Sequence, residues 1–282
     1  MDTAAIGIFD SGLGGLTVAR AVADALPHES ILYIGDTARC PYGPRDAAQV
    51  RAFSAAIANH LVAAGVKVIV IACNTATSAA LEMLQQTLPV PVIGVIQPGA
   101  RAAVRATRKR RVGVIGTEGT VNSGAYPAAV AALDAGISVY SQATPALVDI
   151  VELGLTHTDA DTPNKVWLSQ EFYDLAGDYL EPLLAADIDA LILGCTHYPV
   201  IARPLAFLAG DDVVLISSAD EVAHEVKQTL RRRHQLTDAP ADDTGGYVPA
   251  RRFLTTGDVD TFRELGSRIY GADLVQVEQI TL

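Results

Sequence analysis

The chain has little that would hold it together covalently or fix it to a surface. Cysteine occurs 3 times in 282 residues, never in C-x-x-C spacing. So odd and sparse a set argues against a disulfide framework and for a reducing cytoplasm. Lysine is scarce too: Lys67, Lys109, Lys165 and Lys227 are the full complement, and none sits where a Schiff base to pyridoxal phosphate would be natural. Apolar runs are broken by Gly, Lys or Asp well before the roughly 18 residues of a membrane-spanning helix. The opening stretch MDTAAIGIFDSG lacks a basic n-region and a cleavable apolar stretch, so no signal peptide is expected.

What the chain does have is apolar bulk and negative charge. Hydrophobic residues make up 50% and charged ones 19%, a globular balance with material for one large core or two ordinary ones. The net charge of −11 and the pI near 4.9 speak against general nucleic-acid binding. Two basic clusters run the other way, Arg108–Arg111 and Arg231–Arg233. Each follows a helical pattern, where cations complement the C-terminal dipole, and each reads as a solvated helix end. An anionic small molecule would then be held by local hydrogen-bond donors rather than by the overall field.

Short β-branched runs alternate with Ala-rich helical patterns. The runs are 5–9, 30–34, 67–72, 91–95, 111–115, 136–140, 188–193, 212–216 and 252–256; helical spacing covers 46–64, 75–87 and 218–232 among others. Strands this apolar, separated by helices, predict an α/β fold with mainly parallel sheets covered on both faces. Residues 235–250 read as a long exposed loop. A repeat runs through the pattern: Ile6-Gly7-Ile8 aligns with Val112-Gly113-Val114, Ser11 with Thr117, and Ile31 and Tyr33 with Ile137 and Val139. Two similar domains related by a pseudo-two-fold axis are therefore expected. Their ligand site would lie in the cleft between them, since open α/β sheets bind ligands outside the carboxyl ends of their strands.

Those carboxyl ends carry the polar residues. In IFDSGLGGLT, Asp10 and Ser11 precede a glycine-rich turn; Thr17 breaks the dinucleotide fingerprint and no lysine completes a P-loop. Such a turn into a helix offers backbone N–H groups to anions. Asp10 could be a simple helix cap, but the matching position in the repeat is Gly116, so the turn does not require an acid. In GDTARCPYGPRD, Pro41 and Pro44 stiffen a loop presenting Tyr42 and the N–H of Gly43, while Cys40 has no acid or histidine beside it and reads as structural.

The runs VKVIVIACNTAT and IDALILGCTHYP each end in a thiol followed by a polar pair: Cys73 with Asn74-Thr75, and Cys195 with Thr196-His197. A helix beginning just after each would set its positive end at the sulfur and favour thiolate. One buried cysteine at a strand end is more often a small hydrophobe. Two at matching ends of a repeat point to chemistry, with Asp10 near one and His197 near the other. Three chemistries remain open. Zinc could take Cys73, Cys195 and His197, although the spacing lacks the close ligand pairs of structural zinc sites. A Cys-His hydrolase could use Cys195, leaving Cys73 idle. A racemase could use both, one thiolate removing a proton on one face and one thiol supplying it on the other.

The motifs IGIFDSGLGGLTV, YIGDTARCPYGPR, ACNTATS, GVIQPG, GVIGTEGTVNSGAY, LGCTHYP and TTGDVDTFRELGSRIYG, spread over nearly the whole chain, resemble the cofactor-independent aspartate/glutamate racemases, and within them the glutamate racemases. The resemblance implies interconversion of L- and D-glutamate without pyridoxal phosphate or metal, a supply of D-glutamate for peptidoglycan, and a homodimer. It implies Cys73 and Cys195 as the proton donor and acceptor, Asp10 and His197 as their assistants, and Glu152 as a further acid on the histidine side. Substrate contacts would come from Asp10, Ser11, Tyr42, Gly43, Asn74, Thr75, Thr196 and His197, with Thr117 and Thr120 as additions. It further implies a first domain of residues 1–97, a second of 98–206, and a return over 207–282 that completes the first. One departure is Gln97, where relatives often carry an acid. Aspartate racemase, a thiol-dependent amidase and an inactive amino-acid-binding protein are the rival expectations.

Overall fold

The computed structural model describes residues 2–156, 169–237 and 247–282, with the main chain alone over 152–156. The chain divides into two compact units. One comprises Met1–Tyr42, Asp46–Val95 and Ala219–Leu282; the other comprises Gly43–Arg45 and Ile96–Ser218.

In the first unit the chain runs β1 (Ile6–Asp10), α1 (Leu16–Ala25), β2 (Ile31–Gly35), α2 (Ala47–Ala63), β3 (Val68–Ile71), α3 (Asn74–Thr87) and β4 (Val92–Gly94). The second unit follows with α4 (Ile96–Ala106), β5 (Arg111–Gly116), α5 (Glu118–Asn122), α6 (Ala125–Leu133), β6 (Ser138–Ala143), α7 (Pro145–Thr156), α8 (Gln170–Ala185), β7 (Ala190–Gly194), α9 (Ala202–Ala209) and β8 (Val214–Ile216). The first unit is completed by α10 (Ala219–Arg232), β9 (Arg251–Thr255), α11 (Val259–Tyr270) and β10 (Val277–Gln279).

Every strand pairing among the described residues is parallel. The sheet of the first unit has the order β10-β9-β2-β1-β3-β4, and that of the second β6-β5-β7-β8. The segment β2-β1-β3-β4 thus repeats as β6-β5-β7-β8, and the expected repeat is present as topology. Its detail differs in one place. Ile6 pairs with Ile31, whereas Val112 pairs with Val139. Val139 is therefore the counterpart of Ile31 rather than of Tyr33, two residues from the sequence alignment. Apolar similarity cannot fix register when β6 is an edge strand with no fully buried residue.

The central strands are buried on both faces because helices cover both. In the first unit Phe9, Ile69 and Ile71 form a core with Val50, Ile57 and Leu61 of α2 and Ala76, Ala80 and Leu84 of α3. The alternate residues Ile8 and Val70, also buried, point to the opposite face. In the second unit Val112, Val114, Ala190 and Ile192 pack on Ala100 and Ala103 of α4 and on Tyr126 and Val130 of α6. β8 pairs with β7, so the chain stays in this unit through Ser218, beyond the return expected near residue 207. Of the expected loop at 235–250, residues 238–246 lie outside the described residues.

Candidate active site

Doubly wound sheets take ligands at the carboxyl ends of the strands, where the strand order turns. In the first unit the order turns between β1 and β3, whose ends deliver Asp10-Ser11 and Cys73-Asn74. In the second unit it turns between β5 and β7, whose ends deliver Thr117 and Cys195. Ile71 pairs with Phe9 and Leu193 with Ile115, and each cysteine stands two residues beyond that pair. The two thiols therefore occupy the same register position in two sheets wound alike.

Around the first thiol the local structure is polar and closed. Cys73 is the N-cap of α3 in extended geometry, and its sulfur accepts from the Ala76 N–H at 3.4 Å. A sulfur at that position sits where the orphan N–H groups of the helix end gather, an arrangement that favours negative charge. The Cys73 thiol also donates to Ser11 Oγ at 3.7 Å. Asn74 and Thr75 open the helix and are buried beside it. Asp10 is fully buried, and its Oδ2 accepts from the Gly12 N–H at 3.0 Å. It does not cap α1, whose N-cap is Gly15. Tyr33 closes the turn from below, its hydroxyl donating to the Gly12 carbonyl at 2.8 Å. Burial, with the negative forms of Asp10, Cys73 and Cys40 adding, pushes the Tyr33 phenol well above the usual tyrosine range, so it stays a neutral donor.

Tyr42 is buried and donates to Asp36, which also accepts from Arg39 Nε at 2.7 and 2.9 Å and from the Thr256 hydroxyl at 2.8 Å. The Asp36 backbone N–H donates to the Asp10 carbonyl at 3.0 Å, so this buried carboxylate ties the proline loop to the end of β1. In the second unit the Gly43 carbonyl accepts from the Gly119 N–H at 3.2 Å, and a β-carbon on Gly43 would lie 3.0 Å from Thr117 Cβ. Thr117 is the N-cap of α5; its Oγ1 accepts from the Thr120 N–H at 3.3 Å and donates to Thr120 Oγ1 at 3.1 Å. These two threonines form one cap.

The second thiol is built differently. Cys195, Thr196 and His197 are all buried, and His197 Nδ1 lies 3.6 Å from the Cys195 sulfur. No α-helix starts here. A 3-10 turn covers Tyr198–Ile201, and the Tyr198 N–H donates to the Cys195 carbonyl at 3.2 Å. Pro199 supplies the reason: the N–H that would close an α-turn onto Cys195 is missing. The expected helix dipole at this sulfur is thus replaced by a ring nitrogen. Buried tyrosines again lie close. Burial first, then the negative form of Cys195, pushes the phenols of Tyr126 and Tyr198 upward. Glu152 belongs to α7 by its main chain, and its side chain lies outside the described residues. Among the described residues no three His, Cys, Asp or Glu side chains gather to hold a metal ion.

The Asp/Glu/hydantoin racemase family matches residues 16–226. The chain belongs to this family. Among racemases that it resembles, the glutamate racemase of Corynebacterium diphtheriae is 48% identical over 279 residues, 99% of this chain and 98% of the relative. A crystal structure of a glutamate racemase isoform from Bacillus anthracis superposes with a TM-score of 0.90 at 41% identity, covering 100% of this chain and 99% of that one. The glutamate racemase of Francisella tularensis, solved in complex with D-glutamate, gives 0.85 at 33% identity over 100% and 98% of the two chains. In this family member the residues that sequence reading passed over are Tyr33, Asp36, Tyr126, Thr144 and Tyr198. Tyr33, Thr144 and Tyr198 bond to partners at least 21 residues away, so no local spacing marks them, and Asp36 joins nearby Arg39 and Tyr42 to distant Thr256.

Proposed function

We propose that this protein interconverts L- and D-glutamate without a cofactor, one of Cys73 and Cys195 removing the α-proton and the other supplying a new one. The observation that carries the mechanism is the matched register of the two sulfurs at the switch points of two sheets wound alike. Near full-length similarity to glutamate racemases supports the substrate. One sulfur, as thiolate, takes the proton from Cα, and the electron pair remains on a carbanion spread into the α-carboxylate. The other, as thiol, returns a proton to the opposite face. Each turnover exchanges thiol and thiolate, so the enzyme alternates between two protonation forms.

The α-proton is a very weak acid and a thiolate only a modest base. Stabilisation of the carbanion must then come from fixed donors in a site closed to water. Ser11, Asn74, Thr75 and Thr196 take that role around the α-carboxylate, with Tyr42, Gly43, Thr117 and Thr120 completing the substrate contacts. Asp10 governs protonation on the Cys73 side and His197 on the Cys195 side, backed by Glu152. In this reading the enzyme is a cytoplasmic homodimer that supplies D-glutamate for peptidoglycan and engages neither nucleic acid nor membrane. Among the described residues no helix is long and apolar enough to cross a membrane.

Proton NMR of L-glutamate in deuterated buffer, with a chelator and no added cofactor, tests the proposal. The α-proton signal should disappear as D-glutamate forms. An unchanged signal with folded protein would sink the glutamate reading and turn attention to aspartate, and ammonia release from glutamine would identify an amidase. Light scattering on the same sample decides the dimer.

A further inference from the structure

Tyr198 follows His197 directly and is wholly buried, yet its hydroxyl is tied to a strand end on the far side of β5. It lies 2.7 Å from Thr144 Oγ1 and donates to the Thr144 carbonyl at 3.0 Å. Thr144 is fully buried as well. Its N–H donates to the Gly116 carbonyl at 2.8 Å and its hydroxyl reaches the same carbonyl at 3.3 Å. The strand order β6-β5-β7 makes the meaning of these contacts plain. The turn after β7 is clamped across the end of β5 to the end of β6. Thr144 also immediately precedes Pro145, the first residue of α7, and α7 packs on the 3-10 turn.

The turn so clamped is short and carries the chemistry. The Tyr198 N–H donates to the Cys195 carbonyl, and the Val200 N–H to the His197 carbonyl at 3.1 Å. Rotation of Tyr198 therefore moves His197, and with it the 3.6 Å approach of Nδ1 to the sulfur. The first thiol has no need of such a device, because the N-terminus of α3 holds it.

We propose that Thr144 and Tyr198 are positioning residues for the second thiol: together they set the distance between His197 and Cys195, and so the proton transfer on that side of the substrate. The inference rests on the racemase reading above, and it predicts an asymmetric defect. Tyr198→Phe and Thr144→Val should lower kcat about tenfold with KM within twofold. The primary deuterium isotope effect from 2-deuterated glutamate should rise in one direction only, the same direction in which His197→Asn raises it. Thr144→Ser, which keeps the hydroxyl and the main-chain contacts, should restore wild-type behaviour. An isotope effect that rises equally in both directions, or a rise in KM without a directional isotope effect, would identify a merely structural pair and overturn the assignment.

Thiol alkylation followed by mass spectrometry separates this inference from the reading beneath it. Cys73 serves as the internal control in the same molecule. In Thr144→Val the alkylation of Cys195 should slow at least threefold relative to Cys73; an unchanged or raised ratio would refute the positioning role. Absence of α-proton exchange in the wild type would instead defeat the racemase reading and leave the alkylation ratio to decide the geometry.

Discussion

A β-carbon on Gly15 would lie 2.4 Å from Asp10 Cβ and 2.9 Å from both Asp10 Cγ and the Tyr33 hydroxyl. Gly15 has an ordinary helical φ of −62°, so this glycine is required by space and not by backbone conformation. Gly15→Ala must displace Asp10 or lift α1 from the sheet. It should cost about 1–3 kcal/mol of stability, as overpacked sites do. Turnover of the folded fraction should drop about tenfold, because Asp10 leaves its place beside the first thiol turn. Urea unfolding and steady-state kinetics on one preparation would check both, and wild-type kcat would show that the position of Asp10 is not needed. The thiols themselves give the sharper residue-scale test. Serine is far harder to ionise, so Cys73→Ser and Cys195→Ser should each lower racemisation by about 10²–10⁴-fold, the range of a lost acid/base group. Near wild-type turnover in either variant would refute two-base chemistry. Asp10→Asn and His197→Asn should each slow proton abstraction from a different enantiomer. Isotope effects must report this, since the net kcat/KM ratio is fixed by the equilibrium constant.

Secondary-structure elements give the two thiols different mechanical roles. Cys73 caps α3 and Cys195 caps nothing, since a 3-10 turn follows it. Removing a cap costs about 0.5–2 kcal/mol, and serine caps well. Cys73→Ala should therefore be less stable than Cys73→Ser by an amount in that range, while the Ala and Ser variants at Cys195 should differ less. Thermal unfolding of the four proteins reads this contrast directly, and an equal contrast at both sites would show that the Cys73 cap contributes nothing. The same elements mark what a sequence can reveal. Nine apolar runs corresponded to nine strands, and the run 46–64 to α2, with Asp46 as its cap. β10 escaped because Gln276, Glu278 and Gln279 surround Val277, so this three-residue strand lacks the apolar run that marks the equally short β4 and β8. The cysteine turns were legible because each interrupts an apolar run with polar residues. The Thr144–Tyr198 contact was not, because its partners stand 54 residues apart and neither interrupts a pattern.

On the scale of the whole first unit, Lys67 looks in sequence like a flaw in an apolar run, and in the fold it is a knot. Its Nζ lies 2.6 Å from Glu29 Oε2, with both side chains at most 3% exposed. It also donates to the carbonyls of Asp2 and Gln235 at 2.8 Å, and Thr237 gives Glu29 both its N–H at 2.8 Å and its hydroxyl at 2.9 Å. The start of the chain, the entry to β2, the entry to β3 and the segment after α10 thus meet at the amino edge of one sheet. That segment belongs to the part of the chain that returns after the second unit, so the knot joins pieces made far apart. Breaking a buried pair on one side strands a charge, at about 3–5 kcal/mol. Lys67→Met should lose that much, and the double variant Lys67→Met, Glu29→Met should recover part of it, because no charge is then left unpaired. Catalysis of the folded protein should stay within twofold of wild type. Cys73 stands at the other end of β3, about 20 Å away at ~3.3 Å per strand residue, and no charge of the knot reaches it unscreened. Urea unfolding of the single and double variants, with kcat measured well below each midpoint, decides both claims. A kcat that falls in step with stability would mean that the amino edge of the sheet is coupled to the thiol at its carboxyl edge.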